Sequence, residues 1–171
     1  MTANPSAVLF CCDHNSVRSP MAEGIMKRYY GTRIYVQSAG VRSELEVDGF
    51  SVAVCAEIGV ALEKHRVRSF EEMEAWGDRI DAYELIVALS PAAMRQAQEY
   101  TRYHALDVEY WPVIDPTGLG EDRASRLANY RQTRDQIEAR IRDRFGPPDE
   151  AEETAAVRAP GGPGLLVPNP G

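Results

Sequence analysis

Cys12 and Arg18, separated by the five residues Asp-His-Asn-Ser-Val, are the pair in this sequence best suited to chemistry. The thiolate is the nucleophilic form of cysteine, and a nearby cation or helix N-terminus stabilises it. A guanidinium group can hold two oxygens of a phosphate or a similar oxyanion. The spacing therefore predicts a cysteine nucleophile that faces a tetrahedral oxyanion. Spacing alone also allows a second interpretation, in which Cys11 and Cys12 are buried at a strand end and Arg18 lies on the surface.

The segments on either side of this pair indicate how it would be positioned. Ala7–Cys12 is a continuous apolar run, which is typical of a buried parallel strand. Ser19-Pro20 is typical of an N-cap followed by the first residue of a helix. The loop between them can direct successive N–H groups at one point, where the helix N-terminus adds its positive potential. This arrangement favours the interpretation in which Cys12 is a nucleophile over the one in which both cysteines are only buried strand residues.

The rest of the chain alternates strands with helices. Further strands are predicted at 33–38, 85–89 and 108–113, and further helices at 48–58, 69–76, 90–103 and 121–145. The predicted fold class is α/β, a three-layer sandwich in which helices flank a four-stranded parallel sheet. Ligands of such sheets bind at the carboxyl ends of the strands. Both Cys12 and Asp115 lie at predicted strand ends of this kind.

Composition divides the 171 residues into three parts. Residues 1–6 are expected to form a short N-terminal extension, and residues 7–146, which contain the predicted elements, to form one compact domain. Residues 147–171 are rich in proline, glycine, alanine and acidic residues, which cannot form a packed core. We predict that this last part is a disordered tail.

Charge, hydropathy and cysteine spacing restrict the partners and the location. The net charge of −7 makes nucleic acid an unfavourable partner, and it requires that any anion be bound by local geometry. No apolar run is long enough to cross a bilayer and no signal-peptide pattern is present, so we expect no membrane contact and a cytoplasmic location. The three cysteines have neither disulfide nor metal-ligand spacing, so we expect no metal and no cofactor. A monomer is the default expectation.

The opening loop resembles that of the low-molecular-weight protein tyrosine phosphatases and the related arsenate reductases, which share one fold. Their common pattern is an apolar strand, then C-x-G-N-x-x-R-S, then a helix; this sequence has C-D-H-N-S-V-R-S at the same place. The resemblance covers roughly residues 7–145. Further matches follow in the same order along the chain: Ser38-Ala39-Gly40, Gly59-Val60 followed by His65 and Arg68, and Asp115-Pro116.

The resemblance implies a phosphomonoester hydrolase that acts through a phosphocysteine intermediate. Cys12 would attack phosphorus, while Arg18 and the loop amides would hold the phosphoryl oxygens through the transition state. Asp115 would protonate the leaving oxygen and then activate the hydrolytic water. The expected substrate is a phosphorylated protein, a small phosphate ester or arsenate. The expected substrate-binding surface is the whole loop: Asp13, His14, Asn15, Ser16, Val17 and Arg18.

The resemblance also implies supporting residues. Ser19 would donate a hydrogen bond to the thiolate, in addition to its predicted place as the helix N-cap. Asn15 would adopt a strained turn conformation, which asparagine tolerates, with Ser38 and His65 as its supports. No metal is implied, because the loop and Arg18 supply the positive potential.

Several loop residues depart from the family pattern. Asp13 places a carboxylate directly after the nucleophile, and we predict that it faces the rim and influences substrate charge preference. His14 replaces a glycine and is predicted to point outward. Val17 stands where many of the phosphatases have a second loop cysteine.

Two further departures concern the substrate and the chemistry. No aromatic residue lies between Gly40 and Asp48, and Thr117-Gly118 replaces the tyrosines that usually follow Asp-Pro. The phenyl ring of a phosphotyrosine would therefore lack stacking partners, which argues against selectivity for phosphotyrosine. Thioredoxin-coupled arsenate reductases need two cysteines after the third strand, and 87–94 has none. Residues 119–141 nevertheless resemble the reductase branch. The alternative function is therefore an arsenate reductase that uses Cys12 with a small thiol or glutaredoxin, and the third is a catalytically weak oxyanion-binding regulatory module.

Overall fold

A four-stranded parallel sheet forms the centre of the computed structural model, which describes residues 3–148. Its strands lie in the order β2-β1-β3-β4, so β1 pairs with β2 on one side and with β3 on the other. The connection after β1 leads to the strand on one side of it, and the connection after β2 crosses to the strand on the other side. The carboxyl end of β1 is therefore the topological switch point where ligands of open α/β sheets bind. The strands are β1 (Ala7–Cys12), β2 (Tyr35–Gly40), β3 (Leu85–Ala88) and β4 (Asp107–Tyr110).

Helices cover both faces of the sheet, which confirms the predicted three-layer α/β fold. The first, second and fifth helices pack on one face, and the third and fourth pack on the other. Each face has its own apolar core, as expected for a parallel sheet covered on both sides. The helices are α1 (Arg18–Tyr30), α2 (Gly49–Ala56), α3 (Phe70–Ala75), α4 (Pro91–Tyr100) and α5 (Arg123–Phe145), with a 3₁₀ turn at Ile80–Ala82.

Strand β1 is buried along its whole length. Because successive side chains of a strand point to opposite faces of the sheet, its two adjacent cysteines lie on different faces. Cys12 belongs to the core beneath α1 and α5, whereas Cys11 belongs to the core beneath α3 and α4. Burial raises the pKa of the Cys11 thiol, which contacts the carbonyl oxygen of Val87 at 3.7 Å. Only Cys12 therefore shares a face with the loop and Arg18.

The start of α1 differs from the prediction. The helix begins at Arg18, its N-cap is Val17 without a side-chain cap, and the Met21 N–H donates to the Val17 carbonyl at 3.2 Å. The prediction that Ser19 is the N-cap is wrong. The Ser19 hydroxyl bonds the Cys12 sulfur at 3.0 Å instead of capping the helix.

The bounds of two strands differ from the predicted bounds by two or three residues. The second strand begins at Tyr35 rather than at Arg33, and the fourth ends at Tyr110 rather than at Val113. The fourth strand is short because its neighbour β3 ends at Ala88, so the ladder has no further paired residue. The predicted tail lies outside the described residues from position 149 onward, as do residues 1 and 2. Within the described range, no helix is both long and apolar enough to span a membrane.

Gly40 at the end of β2 permits a close approach between the sheet and the loop after β1. A Cβ at this position would lie 2.4 Å from the Arg42 carbonyl oxygen and 2.7 Å from the Asn15 nitrogen, and neither backbone atom can move freely. We therefore expect Gly40→Ala to lower the free energy of unfolding by about 1–3 kcal/mol, as overpacking does. Urea denaturation followed by circular dichroism measures this change.

Gly49→Ala is the matched control. Gly49 is the first residue of α2, and nothing lies within 4 Å of a Cβ built there. The substitution should leave stability unchanged or raise it by up to about 1 kcal/mol, because alanine restricts the unfolded chain. Equal destabilisation by both substitutions would contradict the close approach at Gly40.

Candidate active site

The loop between β1 and α1, residues 13–17, is held by hydrogen bonds to the segment that follows β2. Four of its carbonyl groups, counting that of Cys12, accept from backbone N–H groups between Val41 and Asp48 at 2.9–3.3 Å. The C=O and N–H of a peptide unit point in opposite directions. We infer that the N–H groups of these peptides face away from that segment, toward the cleft above Cys12. The N-terminus of α1 adds its positive potential at the same place.

Asn15 determines the shape of this loop. It is fully buried, and its φ of 56° makes it the one non-glycine residue with a left-handed backbone in the described chain. Its amide nitrogen donates to the Ser19 hydroxyl at 2.9 Å and to the Ser38 hydroxyl at 2.8 Å. Its amide oxygen accepts from the Arg68 N–H at 3.0 Å and contacts His65 Nε2 at 3.1 Å. The four partners compensate the strain of the left-handed conformation.

A second set of residues holds these partners. The Ser38 hydroxyl donates to a Glu23 carboxylate oxygen, and the Arg68 side chain donates to the Ser38 carbonyl at 3.0 Å and to Asp78 at 2.8 Å. The sequence prediction assigned no role to Glu23 or Arg68. For Glu23, the sequence did contain a signal of such a role: it is a carboxylate four residues after Ser19, on the same face of α1 as buried side chains.

Cys12 lies at the end of β1 with its sulfur in contact with two donors. Its Sγ is 3.0 Å from the Ser19 hydroxyl and 3.4 Å from the Ser19 N–H. Because Asn15 donates to the Ser19 oxygen, the hydroxyl proton of Ser19 is free to point at the sulfur. Donors of this kind stabilise a thiolate and therefore a nucleophile.

Arg18 is anchored to the carboxyl ends of two other strands. Its Nη1 donates to the carbonyl of Val113 at 3.0 Å and approaches that of Leu89 at 3.5 Å. Its Nη2 faces two carboxylates, Asp13 at 3.3 Å and Asp115 at 3.6 Å. Its Nε is buried and has no partner among the described residues. The guanidinium therefore keeps one buried donor available for an oxyanion.

Asp115 reaches the site from the loop after β4. Its Oδ1 accepts from the Thr117 N–H at 3.0 Å, and its side chain remains 43% exposed. The cavity at this point has a volume of about 20 Å³, enough for one compact polar group. Its lining joins the opening loop to Asp115: Cys12, Asp13, His14, Ser16, Val17, Arg18, Asp115 and Thr117.

The comparisons with known proteins agree with this geometry. The family model of low molecular weight phosphotyrosine protein phosphatase matches residues 7–153. The chain belongs to this family. The resemblance found in the sequence is thereby confirmed.

Among the relatives of this family, several are named arsenate reductases. A glutaredoxin arsenate reductase of Synechocystis is 28% identical over 134 residues, which cover 78% of this chain and 92% of the relative. A solved arsenate reductase in its phosphate-binding state superposes with a TM-score of 0.67 at 25% identity, covering 82% of this chain and 96% of that one. A low molecular weight protein tyrosine phosphatase of T. tengcongensis has a TM-score of 0.62 at 27% identity, covering 79% and 94%. Both branches of the family are therefore represented among similar proteins.

Two loop residues that distinguish this family member lie at the mouth of the cleft. His14 points outward, half exposed, with its Nδ1 3.7 Å from a Glu44 carboxylate oxygen. The Asp13 side chain is 38% exposed, and its Oδ2 also contacts Arg18 Nη2 at 3.3 Å. The Arg18 guanidinium is the nearest cation, and this attraction explains the orientation.

The cleft has no aromatic wall. None of the residues that line the cavity is a phenylalanine, tyrosine or tryptophan. Tyr130 of α5 lies nearby, but it is buried and its hydroxyl bonds Asp48 at 3.0 Å. Burial raises the pKa of Tyr130 to about 12. In the described part of the chain, no group of three or more histidine, cysteine or acidic side chains is arranged to hold a metal ion.

His65 provides a pH-dependent test of the loop support. Burial lowers the pKa of His65, and the nearby Glu23 carboxylate opposes this effect. The unfolded chain therefore binds this proton more tightly than the folded protein, and stability falls as the pH falls below about 6.5. We expect His65→Gln, whose amide can still donate to Asn15, to reduce this dependence. Unfolding free energies from urea titrations at about pH 7.5 and about pH 5.5 measure it, and identical pH slopes for both proteins would contradict it.

Proposed function

We propose that this chain is a phosphomonoester hydrolase that forms a phosphocysteine intermediate on Cys12. The observation that supports this most strongly is the convergence of three elements on one small cavity. Cys12 comes from β1, Arg18 from α1, and Asp115 from the loop after β4. These residue types are a nucleophile, an oxyanion ligand and a proton donor, which together are sufficient for phosphoryl transfer.

In the first step the Cys12 sulfur attacks phosphorus and the bond from phosphorus to the leaving oxygen breaks. Loop N–H groups and Arg18 hold the phosphoryl oxygens as charge moves onto them. Asp115 donates its proton to the leaving oxygen, so that an alcohol departs instead of an alkoxide. The exposed position of Asp115 allows it to reach a leaving group at the mouth of the cleft.

In the second step a water attacks phosphorus and the bond between phosphorus and sulfur breaks. Asp115, now a carboxylate, takes a proton from this water. The Ser19 hydroxyl and N–H, which both contact the Cys12 sulfur, stabilise the departing thiolate. Inorganic phosphate then leaves and the site returns to its initial state.

The lining of the cavity favours polar or small leaving groups over a phenyl ring. A phenylalanine, tyrosine or tryptophan would contribute about 0.5–1.5 kcal/mol to the binding of such a ring, and none of these lines this cavity. The proposed substrate class is therefore a small or polar phosphate monoester, with phosphotyrosine as a poorer substrate.

We expect the purified protein to hydrolyse para-nitrophenyl phosphate and Cys12→Ser to have no turnover. Asp115→Asn should slow an alkyl phosphate by about 10²–10⁴-fold, because a poor leaving group needs the proton, and should slow para-nitrophenyl phosphate far less. Steady-state rates for the two substrates measure this difference.

Asp107→Asn is the matched control for charge, because Asp107 is exposed at the opposite end of β4. Its rates should equal those of the unmodified protein. Turnover that survives Cys12→Ser would overturn the proposed nucleophile. Equal slowing of both substrates by Asp115→Asn would overturn the proton-donor role of Asp115.

A second candidate function is arsenate reduction, which the names of the similar arsenate reductases support. Arsenate is a tetrahedral oxyanion like phosphate, and Cys12 would add to arsenic with loss of water. A thiol from a separate molecule would then attack the Cys12 sulfur, releasing arsenite and leaving a mixed disulfide, in which two thiols have supplied the two electrons. The attacking thiol must be external. Cys11 faces the opposite core, and burial raises the pKa of Cys55 to about 12.

We expect any arsenate reduction to require an added thiol, because this chain has no second reactive cysteine beside Cys12. Arsenite formation should be measured with glutathione and with glutathione plus glutaredoxin. Cys55→Ser should leave the rate unchanged. Reduction without phosphatase turnover would make this the main function, and tight phosphate binding with neither activity would favour a regulatory oxyanion-binding module.

A further inference from the structure

Asp13 and Arg18 each contribute a buried polar atom that has no partner among the described residues. These atoms are Asp13 Oδ1, an acceptor, and Arg18 Nε, a donor. Both side chains line the cavity above Cys12 and are joined by the 3.3 Å contact between Asp13 Oδ2 and Arg18 Nη2. Buried groups without partners are uncommon in native proteins and require an explanation. A ligand that enters this cavity is therefore expected to meet both a carboxylate acceptor and a guanidinium donor.

A fully ionised oxyanion has no donor to offer. Each of its oxygens is an acceptor, which suits Arg18 and the loop amides but leaves Asp13 Oδ1 facing another negative oxygen. The local charges add to this effect, because Arg18 already faces the Asp13 and Asp115 carboxylates, and Cys12 reacts as a thiolate. Adding a dianion would bring two further negative charges next to Asp13.

A singly protonated oxyanion satisfies both atoms. Its P–OH donates to Asp13 Oδ1, and its ionised oxygens accept from Arg18 and the loop N–H groups. Hydrogen bonds that involve an ionised partner are the strong ones, so the acceptor at Asp13 discriminates strongly between an O–H and an O⁻.

We propose that Asp13 makes this site selective for the monoanionic, singly protonated form of its tetrahedral oxyanion, through a hydrogen bond from the P–OH group to Asp13 Oδ1. The proposal rests on the proposed function, since it assigns the protonation state of the same substrate. It applies equally to a phosphoryl group and to arsenate, which both carry an ionisable O–H. Asp13 is then a specificity-determining residue rather than an internal competitor for Arg18.

Four other titratable groups lie around Asp13 besides Arg18. Cys12 precedes it, Asp115 shares Arg18 Nη2 with it, and the pair of His14 and Glu44 lies at the rim. The test therefore removes the Cys12 thiolate and compares two anions at the same pH. Sulfate has the shape of phosphate but carries no proton near neutral pH, so it cannot donate to Asp13.

The experiment measures binding of inorganic phosphate and of sulfate by isothermal titration calorimetry to the full chain carrying Cys12→Ser. At about pH 5.5 we expect phosphate to bind about 10- to 100-fold more tightly than sulfate, the range that one hydrogen bond to a charged group provides. Phosphate affinity should fall as the pH rises and the dianion replaces the monoanion. Adding Asp13→Asn should strengthen sulfate binding, remove most of the preference and flatten the pH dependence of phosphate binding.

Glu46→Gln in the same Cys12→Ser background is the control for charge. Glu46 is exposed in the segment after β2, and its loss changes the net charge by the same amount as Asp13→Asn. It should leave the preference for phosphate intact. If Asp13→Asn prevents folding, as judged by circular dichroism, Asp13→Thr provides the same test.

Three results would overturn the proposal. The first is equal affinity of the Cys12→Ser protein for phosphate and sulfate. The second is that Asp13→Asn raises the affinity for both anions by the same factor, and the third is that phosphate does not bind at any accessible concentration. An equal gain for both would show that Asp13 only competes for Arg18. Because binding needs no turnover, a lack of ester hydrolysis would refute the proposed function and leave this selectivity measurable.

Discussion

The rest of the site depends on the hydrogen bonds of the buried Asn15 side chain. Its backbone adopts a left-handed conformation, and four hydrogen bonds to its amide group hold it there. Those bonds connect the loop to α1, to β2 and to the segment before α3. The direction of the loop amides therefore depends on the contacts of this side chain together with the backbone hydrogen bonds to the segment after β2.

The same network extends to the Cys12 sulfur. Asn15 donates to the Ser19 oxygen, which leaves the hydroxyl proton available to the Cys12 sulfur. Arg18 is held separately, by carbonyl groups at the ends of β3 and β4. The loop is therefore anchored at both ends to the sheet, at the switch point where β2 and β3 diverge from β1. Asp115, which is 43% exposed, lines the same cavity as the loop.

The pattern of the sequence was sufficient for most of the fold. Continuous apolar runs predicted β1 and β3, because strands covered on both faces must be apolar at every position. The start of α1 was predicted wrongly, since Ser19-Pro20 has the local pattern of a cap while its hydroxyl bonds a sulfur seven residues earlier. The sequence did not predict the contact of Asp13 with Arg18. Asp13 is 38% exposed, but the tertiary structure also places the buried guanidinium 3.3 Å from its Oδ2.

Local residue order determined the elements of this protein and the type of chemistry. A cysteine at a strand end and an arginine at the following helix start occur close together in the chain, and their meeting needs only one loop. The contacts of Glu23, Arg68 and Arg18 were decided by the tertiary structure, because they join residues separated by up to 95 positions in the chain. Side-chain hydrogen bonds depend on distance in space, which a periodic pattern does not encode. For that reason the sequence indicated the type of chemistry that we propose, and the folded structure decided which carboxylates face Arg18.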